Sequence, residues 1–530
     1  MKRKLRLVLL LCFIFAVSTL LFAACGGIGG DDGDNGDNVT NVNDFTFELV
    51  GDFYTVTGYE GEDSDITLPS SYNGKSVTAI GDNAFYENYN LTVVTIPDSI
   101  KSIGEHAFYY CHNLTGMTIP DSVETIGEGA FQGCFSLTEL TIGSGIKVIE
   151  ADVFHYCPRL TKIEIPSSVT TIGDRAFYQC EGLISVEIPD NVTSIGDHAF
   201  WQAKNLESVT IGNGVKTIGE WAFWTCSKLN NVIIGSSVES IGFRAFENCY
   251  SLISITIPES VEAIGDYAFS SCEKLIEIYN LSSLDIQKDT GDYGYVGSFA
   301  FDIYTSKSAT SKLSVDTDGF VFYNNGSVKY LMGHKGGGTE LTLPQGTAYE
   351  LYKYAFASQY SLTGVVIGDN VTAIGARAFF DCKSLTGITI PESIDKIEDY
   401  MFYACSKLSD VNLPDSLTSI GTSAFAGCGS LIEITLPENL TSIGTSAFNS
   451  CWYLKSIKIP AGVTYIGANA FYACTKLTSI EFEDVEGWIV VNTVNQTSGE
   501  EISSEDLADT SIATTYLKTT YANKYWKKSN

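Results

Sequence analysis

Residues 114–136 read LTGMTIPDSVETIGEGAFQGCFS, and close variants of this stretch fill most of the 530-residue chain. Whole units of the same 23-residue length run through residues 91–274 (eight units) and 362–476 (five units). In all thirteen units position 1 is Leu, position 13 is Ile and position 18 is Phe. A constant period of this length predicts a solenoid, in which each unit forms one coil and buries its apolar side chains only against the neighbouring coils.

Each unit divides into two short strands and a return. LTGMTI has the L-x-x-L-x-L spacing of a leucine-rich-repeat strand, with Leu114, Met117 and Ile119 predicted to point inward. Pro or Gly at position 7 ends this strand, and Gly at position 14 in eleven units indicates a tight corner. A second short strand or turn is predicted around VETIG, and an irregular or short helical return through EGAFQGC. The predicted fold is a β-rich solenoid of leucine-rich repeats whose parallel strands stack about 4.8 Å apart.

The full pattern of the unit is L-x-x-I-x-I-P-x-S-V-x-x-I-G-x-x-A-F-x-x-C. It resembles the BspA-like leucine-rich-repeat family of bacterial surface proteins, and the resemblance covers most of the chain. The resemblance implies an exported, often lipid-anchored binding protein; some members are adhesins for host matrix proteins such as fibronectin and fibrinogen, or mediate contact between bacteria. It implies no enzymatic activity and no cofactor, and it does not identify a ligand.

The N-terminus is a targeting segment. MKRKLR is basic, a continuous apolar run follows, and the run ends in LLFAAC. This is the plan of a secretory signal peptide, and its end resembles a bacterial lipobox, with Phe22 where leucine is usual. We predict that residues 1–24 are a lipoprotein signal peptide and that Cys25 is acylated, which would anchor the chain at the bacterial surface, in the outer membrane. An ordinary signal peptide or a membrane anchor helix is the alternative.

Apart from the signal peptide, four segments lie outside the two arrays of whole units. Residues 25–44 are rich in Gly, Asp and Asn and are predicted to form a flexible acidic tether. The spacing of the aspartates does not fit a calcium-binding loop. Residues 45–90 are predicted to form an N-terminal cap and a first partial repeat, and residues 477–530 a C-terminal cap whose last segment, TYLKTTYANKYWKK, is helical.

Residues 275–361 interrupt the period with irregular repeats. Within them YLMGHKGGGTELTLP (330–344) parallels TVTGYEGEDSDITLP (55–69), because Gly333 and Pro344 have the same spacing as Gly58 and Pro69. Both stretches predict hairpin-like strands around a Gly-rich or acidic turn. The first would cap exposed strand edges, and the second would widen or restart the solenoid. A second, independently folded domain is the alternative.

The charge balance limits the partners. The chain has 32 Lys and Arg against 63 Asp and Glu, so its net charge is −31. Binding to nucleic acid or to an anionic lipid surface needs clustered cations, which this balance disfavours. An aromatic content of 12% argues against global disorder.

Twelve of the fourteen cysteines occupy position 21, where only Ala203 replaces them. A catalytic thiol is normally single, with one base beside it, so twelve equivalents predict a buried structural column. Neighbouring cysteines would be about 4.8 Å apart, but parallel side chains hold their Cβ atoms slightly too far apart for disulfides, and free thiols are expected. The predicted structural ladder includes Phe108, Cys111, Phe131, Cys134, Phe177 and Cys180.

His106, Cys111 and His112 are the residues closest to a local metal site in the sequence. Zinc needs three or four converging ligands, and Cys111 belongs to the buried column. His106 and His198 occupy the same position four units apart, which is too far to share a metal. No metal site and no catalytic residue are therefore predicted.

Binding is expected on columns of residues that vary from unit to unit. Position 16 carries His, Arg, Trp and Tyr among smaller residues, and position 19 is aromatic in seven of the thirteen units. Aromatic side chains beside cations favour recognition of a protein or a glycan, although the rings could instead only complete the core. A structural envelope protein is the third possibility. The candidate patch is Tyr109, Tyr178, Trp201, Trp221, Trp224 and Tyr267.

Overall fold

The computed structural model confirms a parallel β-solenoid of leucine-rich repeats, with the short strands of each unit paired to the same strands of the next. It describes residues 40–335 and 338–529. The predicted signal peptide, Cys25 and most of the tether lie outside the described residues. In the part that is described, no helix has the length and apolar character needed to cross a membrane.

The first strand of each unit builds one face of the solenoid. In the unit 114–136, Leu114, Met117 and Ile119 are buried and the residues between them are more exposed, because successive strand residues face opposite sides. One ladder contains Asp65–Thr67, Val93–Thr95, Gly116–Ile119, Glu139–Ile142, Lys162–Glu164, Ser185–Ile188, Ser208–Ile211 and Asn231–Ile233. The face continues in separate sheets with Ser254–Ile257, Glu277–Asn280 and Asp302–Tyr304, then Glu340–Thr342, Gly364–Val366, Gly387–Thr389 and Asp410–Asn412, then Ser456–Ile459 and Ser479–Phe482.

One unit departs from this pattern. The unit 431–453 has no regular first strand, although Ile434 and Leu436 are as buried as their equivalents in other units. The core is therefore continuous through this coil even where the strand ladder is not. Nothing in the structure explains the interruption.

The second strand of each unit is only about two residues long and builds another face. The N-terminal ladder contains Phe45–Val50, Phe53–Tyr59, Ser71–Tyr72, Lys75–Ile80, Ser102–Ile103 and Thr125–Ile126. It is followed by Val148–Ile149, Thr171–Ile172, Ser194–Ile195, Thr217–Ile218, Ser240–Ile241 and Ala263–Ile264. The C-terminal ladder contains Lys396–Ile397, Ser419–Ile420, Ser442–Ile443, Tyr465–Ile466, Trp488–Val491, Glu500–Glu501 and Tyr525–Lys528.

The return segment forms a third face, which is irregular but is also hydrogen bonded from unit to unit. The N–H groups of His106, Phe108 and Tyr110 donate to carbonyls of the next unit at 3.0, 2.7 and 2.7 Å. His106 and Tyr110, at positions 16 and 20, have left-handed backbones with φ of 52° and 56°. These two positions are left-handed in nearly every unit, a conformation that costs a residue with a side chain about 1–2 kcal/mol.

The Phe side chains at position 18 stack along the solenoid axis. Successive rings in the first array lie 5.0–5.7 Å apart between centroids and are tilted by at most 20°. These are offset-stacked distances, at which each ring buries both faces against its neighbours. The structure fully buries Phe108, Cys111, Phe131, Cys134, Phe177 and Cys180.

The cysteine column makes a contact that the sequence did not predict. Each of the twelve thiols donates to a Phe carbonyl oxygen 26 residues earlier, at 3.0–3.4 Å between sulfur and oxygen. All twelve cysteines are free and buried, and burial raises the pKa of the Cys111 thiol to about 12. These thiols are therefore neutral hydrogen-bond donors at physiological pH.

Glycine at position 14 is required by the close approach of two coils. A Cβ atom on Gly219 would lie 2.5 Å from the carbonyl carbon of Gly196, the equivalent residue of the preceding unit. Such a distance is closer than carbon atoms tolerate. The predicted tight corner is thus a contact between two main chains.

Two hairpins start ladders, but each is formed with the strand before the one that the sequence predicts. Phe53–Tyr59 and Asp65–Thr67, on the two sides of the predicted acidic turn, belong to different sheets, and so do Lys329–His334 and Glu340–Thr342, because each of these strands pairs with strands of other coils. Phe45–Val50 pairs antiparallel with Phe53–Tyr59, which then pairs parallel with Lys75–Ile80. Within the interruption, Phe320–Asn324 pairs antiparallel with Lys329–His334, which then pairs parallel with Tyr349–Leu351. Both hairpins have a register shift beside the Gly residues that are equivalent in sequence.

The internal hairpin belongs to a longer sheet that lies between two apolar cores. That sheet contains Leu313–Val315, Phe320–Asn324, Lys329–His334, Tyr349–Leu351 and Val371–Ile374. One core extends from Phe45 to Ala300 and the other from Phe320 to Trp526. A small cluster around Ile276 and Met332 lies between them. The same contacts place residues 40–530 in one compact unit.

The C-terminal segment differs from the prediction that its last part is helical. Two of the helical turns, Val42–Asp44 and Tyr293–Tyr295, lie elsewhere in the chain. In the C-terminal segment the helical turns are Ser504–Ala508, Thr510–Thr515 and Tyr516–Thr520. After them the chain forms the strand Tyr525–Lys528, which pairs antiparallel with Tyr465–Ile466 and Trp488–Val491. Trp526 and Trp488 are each 1% exposed and cover the last coil. The segment forms a strand because this conformation buries the Trp526 indole.

Ala203 offers a test of the thiol contact. We expect Ala203→Cys to raise the free energy of unfolding of the first array by about 1 kcal/mol, because it adds a thiol donor facing the Phe177 carbonyl oxygen. The matched variant Cys226→Ala should lower it by a similar amount or more. Urea unfolding followed by tryptophan fluorescence measures both; a destabilised Ala203→Cys would contradict this account.

Candidate binding surface

Three aromatic side chains at position 19 form a stack on the return face. The ring centroids of Tyr178 and Trp201 lie 4.3 Å apart, and those of Trp201 and Trp224 lie 4.8 Å apart, with tilts of 7° and 9°. All three side chains are half-buried, and burial raises the pKa of the Tyr178 hydroxyl. Since the ring faces contact each other, this aromatic stack presents mainly its edges.

Glu247 connects the stack to the neighbouring column. The Trp224 indole N–H donates to the Glu247 carboxylate at 2.9 Å, and a guanidinium nitrogen of Arg244 lies 3.2 Å from the same carboxylate oxygen. The Arg244 guanidinium also lies 5.1 Å from the ring centroids of Phe243 and Tyr267. These contacts hold aromatic, cationic and anionic groups together in one place.

Position 16 supplies the neighbouring column, and its residues are all held in the left-handed conformation. The φ angles are 57° at His198, 51° at Trp221, 53° at Arg244 and 60° at Tyr267. Gly, Asn and Asp adopt this conformation at the lowest cost, and the chain has Gly129 at the same position. Since this position is left-handed in every whole unit, including those with Ser423 and Asn469, the conformation belongs to the repeat, and only the large side chains distinguish this stretch of the column.

His198 and Trp221 stack in this column with ring centroids 4.9 Å apart and a tilt of 17°. Burial lowers the pKa of His198 below its ordinary value, although nearby Asp197 acts in the opposite direction. Trp221 contacts Phe243 edge-on at 4.9 Å, and Phe243 contacts Tyr267 edge-on at 6.0 Å. Phe243, at position 15, thus completes a continuous series of rings that runs from His198 to Tyr267.

The same column is polar at its N-terminal end. Arg175 forms two hydrogen bonds to the Asp152 carboxylate at 2.9 and 2.7 Å, and the His155 ring lies 2.9 Å from it. Burial of the Asp152 carboxyl opposes its ionisation, but the hydrogen bonds from His155 and Arg175 outweigh burial and lower its pKa to about 2. The charges of Arg175 and Asp152 therefore compensate each other.

The structure brings five of the six candidate residues together. They form what we call the aromatic patch, which also contains residues that sequence reasoning missed. Phe243 and Glu247 are the additions, and the signal at Phe243 is an aromatic residue at a position that is acidic in most first-array units. Tyr109 lies apart, stacked on Tyr86 at 4.8 Å. The aromatic patch is Tyr178, Trp201, Trp221, Trp224, Phe243, Arg244, Glu247 and Tyr267.

The side chains of His106, Cys111 and His112 are not arranged to bind a metal ion together. The Cys111 thiol donates to the Phe85 carbonyl oxygen at 3.1 Å. The His112 ring lies between aromatic neighbours, 4.5 Å from the Phe135 ring centroid. Within residues 40–335 and 338–529, no three His, Cys, Asp or Glu side chains are arranged to hold a metal ion.

A second group of exposed aromatic residues lies on the second array, and two of its three members were missed from the sequence, whereas Tyr472 belongs to the aromatic column at position 19. Trp452 and Tyr453 are 50% and 57% exposed, and Tyr472 on the next coil is 53% exposed. A Cβ atom on Gly429 would meet the Trp452 ring at 2.8 Å, so this indole lies flat against the preceding coil. The first two residues occupy positions 22 and 23 of their unit, outside the two columns in which aromatic residues recur.

Comparison with known proteins identifies the repeat. The family described as BspA type leucine rich repeat region matches six copies, over residues 78–207, 194–293 and 349–486. No curated protein matches the chain.

Several solved structures are similar. A leucine-rich repeat protein from Bacteroides ovatus is 24% identical, over 83% of this chain and 94% of that one, with a TM-score of 0.32. A leucine rich cell surface protein from Faecalibacterium prausnitzii is 27% identical, over 85% and 96%, with a TM-score of 0.30. A leucine-rich repeat protein of T. pallidum is 29% identical, over 41% and 91%, with a TM-score of 0.32.

His198 provides a test of the packed column. We expect its pKa, measured by NMR titration, to lie below the ordinary histidine value of 6.5 and to rise toward that value in Trp221→Ala, because the variant exposes the ring to water. The matched variant Tyr109→Ala, which lies outside the patch, should leave the titration unchanged. An unchanged pKa in Trp221→Ala would show that Trp221 does not cover the imidazole.

Proposed function

We propose that this chain, which belongs to the BspA type leucine-rich-repeat family, is a non-enzymatic cell-surface protein that recognises an extracellular protein through its solenoid surface. The family supports a binding role in general. The observation that supports a protein ligand here is the aromatic patch, because Trp, Tyr and Arg are the residues that dominate binding energy at protein interfaces.

The non-enzymatic part of the proposal rests on the repeat. The twelve cysteines of the described chain recur at one repeat position, and their thiols donate to main-chain carbonyl oxygens. The net charge of −31 further favours a partner with a cationic surface, which it would attract from a distance.

Anchoring is a second part of the proposal. We place the chain at the outer membrane of a bacterium, held by a lipid on Cys25, with residues 25–44 as a tether. The lipobox-like LLFAAC and the composition of the tether support this. A tether of Gly, Asp and Asn would let the solenoid face away from the membrane to which it is attached.

Glycan binding is the alternative function, and the second array favours it. Sugars pack their apolar faces on exposed aromatic rings, and Trp452, Tyr453 and Tyr472 expose half or more of their side chains. In the aromatic patch the ring faces are instead covered by neighbouring rings. The two surfaces therefore support different ligands and can be tested separately.

The chain from Thr40 to Asn530 should bind at least one member of an array of extracellular-matrix proteins. We expect Trp201→Ala combined with Trp224→Ala to weaken that binding at least about tenfold, which corresponds to about 1.4 kcal/mol, because both side chains lie at the centre of the patch. Surface plasmon resonance measures the affinity. Tyr109→Ala, at the same repeat position outside the patch, is the matched control and should bind normally.

A polysaccharide array tested in parallel decides between the two functions. If Trp201→Ala with Trp224→Ala leaves every interaction unchanged, the aromatic patch is not the binding surface. If only polysaccharides bind, and Trp452→Ala with Tyr453→Ala abolishes this binding, the glycan function replaces the protein function.

A further inference from the structure

A cavity of about 480 Å³ lies between the first array and the internal hairpin. Its wall on the array side includes Lys228, Ser251 and Lys274, which occupy position 23 of three successive units. Met332 of the hairpin and Gln359 of the restarting array close the other side. A cavity of this size holds a small ligand, or one end of a larger one.

Lys274 is the most unusual residue of this cavity, because it is only 4% exposed and has no anionic partner among the described residues. Its ammonium group donates to the carbonyl oxygens of Met332 and Ala355 at 2.7 and 3.1 Å. An ammonium group has three N–H donors, so these two acceptors leave one for a further partner. Burial lowers the pKa of Lys274 to about 7, which expresses the cost of a buried charge without a counter-ion.

A second lysine contributes to the same cavity. Lys228 is half-buried, forms no ion pair within the described part of the chain, and has its ammonium nitrogen 5.4 Å from the ring centroid of Tyr360. Burial lowers its pKa, and Glu207, the one carboxylate in the described lining, acts in the opposite direction. Two desolvated lysines against one carboxylate make the cavity locally cationic in a chain whose net charge is −31.

A purely structural role accounts for only part of this arrangement. Lys274 does join the last unit of the first array to the hairpin and to the restarting array. An apolar side chain would avoid the buried charge but would leave the Met332 and Ala355 carbonyl oxygens without this donor, so these two contacts are structural. They use two of the three N–H donors of Lys274 and supply no counter-charge, and Glu273 separately contacts Lys353 at 3.2 Å. The cost of Lys274 is explained if an anion enters the cavity.

We propose that this cavity is a binding site for a ligand with a carboxylate group, which accepts charge-assisted hydrogen bonds from Lys274 and Lys228. A carboxylate fits because it supplies the missing counter-charge and can accept from the N–H of Lys274 that the two carbonyl oxygens leave over, while Lys228 adds a second positive charge to the lining. Asn231 and Ser254, from the strand face, also line the cavity and can bind hydroxyl or amide groups beside the carboxylate. The site is distinct from the aromatic patch and does not depend on the function proposed for it.

Carboxylates of this kind occur in acidic sugars and at the C-termini of peptides. The chemistry that recognises the carboxylate is the same in both cases. The rest of the ligand differs, so matched probes of the two types separate the sources.

The binding should be coupled to proton uptake. The charged and titratable groups around the lysines include Glu207 on the array side and His334 and Lys335 on the hairpin, with His334 2.8 Å from the Asp318 carbonyl oxygen. Tyr360 and Cys382 lie near Lys228 from the other side, and Lys383 lies over the same Tyr360 ring at 5.1 Å. At pH 8 the Lys274 amine is mostly neutral, so a bound carboxylate must recruit a proton to it. At pH 6 the amine is already charged, and no uptake by this group is expected.

Isothermal titration calorimetry of the full chain tests the proposal with two pairs of probes. These are D-glucuronate with D-glucuronamide, and triglycine with triglycinamide. We expect one carboxylate or both to bind, its amide to bind at least about tenfold more weakly, and binding at pH 8 to take up protons, seen as an enthalpy that depends on the buffer.

Variants connect the binding to the cavity. Lys274→Met and Lys228→Met should each weaken carboxylate binding at least about tenfold, and Lys274→Met should abolish the proton uptake. Lys407→Met is the matched control, because Lys407 occupies the same repeat position but is exposed. If Lys274→Met does not fold, Lys228→Met decides alone.

The proposal is overturned if neither carboxylate binds. It is also overturned if carboxylates and amides bind equally, or if the variants of both lysines bind as the native chain does. Binding of glucuronate alone assigns the site to acidic sugars, and binding of triglycine alone assigns it to peptide termini.

Discussion

The structure depends on one constraint, which is that the main chain of each coil must hydrogen bond to the main chain of the neighbouring coils. A single coil cannot bury its own apolar side chains, so stacking supplies both the core and the hydrogen-bond partners. The constraint explains why Phe rings lie 5.0–5.7 Å apart in a continuous column of the first array. It also explains why Gly219 cannot carry a Cβ atom, since the preceding coil occupies that space.

The same constraint determines what could be predicted from the sequence. The Phe, Cys and Ile columns were predictable because identical contacts recur at a fixed period. The strands at 53–59 and 329–334 were predictable from the likeness of their sequences, but their hairpin partners were not, because Phe45–Val50 and Phe320–Asn324 lie outside the matching stretches. The left-handed backbone at Trp221 was not, because Gly and Asn mark that position in only a few units and large side chains obscure the signal.

Other features arise where the period ends, and there sequence reasoning had no pattern to use. Lys274 reads as one more polar residue at position 23, but its partners at Met332 and Ala355 come from segments outside the repeat. Trp526 reads as part of a helix, yet covering the last coil requires a strand. For the candidate surface, the columns gave five residues of the patch, whereas Glu247 became visible only from its contacts with Trp224 and Arg244.

The coils thus separate two kinds of position, those that stacking fixes and those that are free to bind. The cysteine column is the clearest case, because reactive side chains are here used only as buried donors to Phe carbonyl oxygens. Thiol titration of the unreduced chain from Thr40 to Asn530, before and after unfolding in denaturant, tests this most directly. The account predicts that none of the twelve thiols reacts in the folded chain and that all twelve react once it is unfolded. Rapid reaction in the folded chain, or fewer than twelve thiols after unfolding, would contradict it.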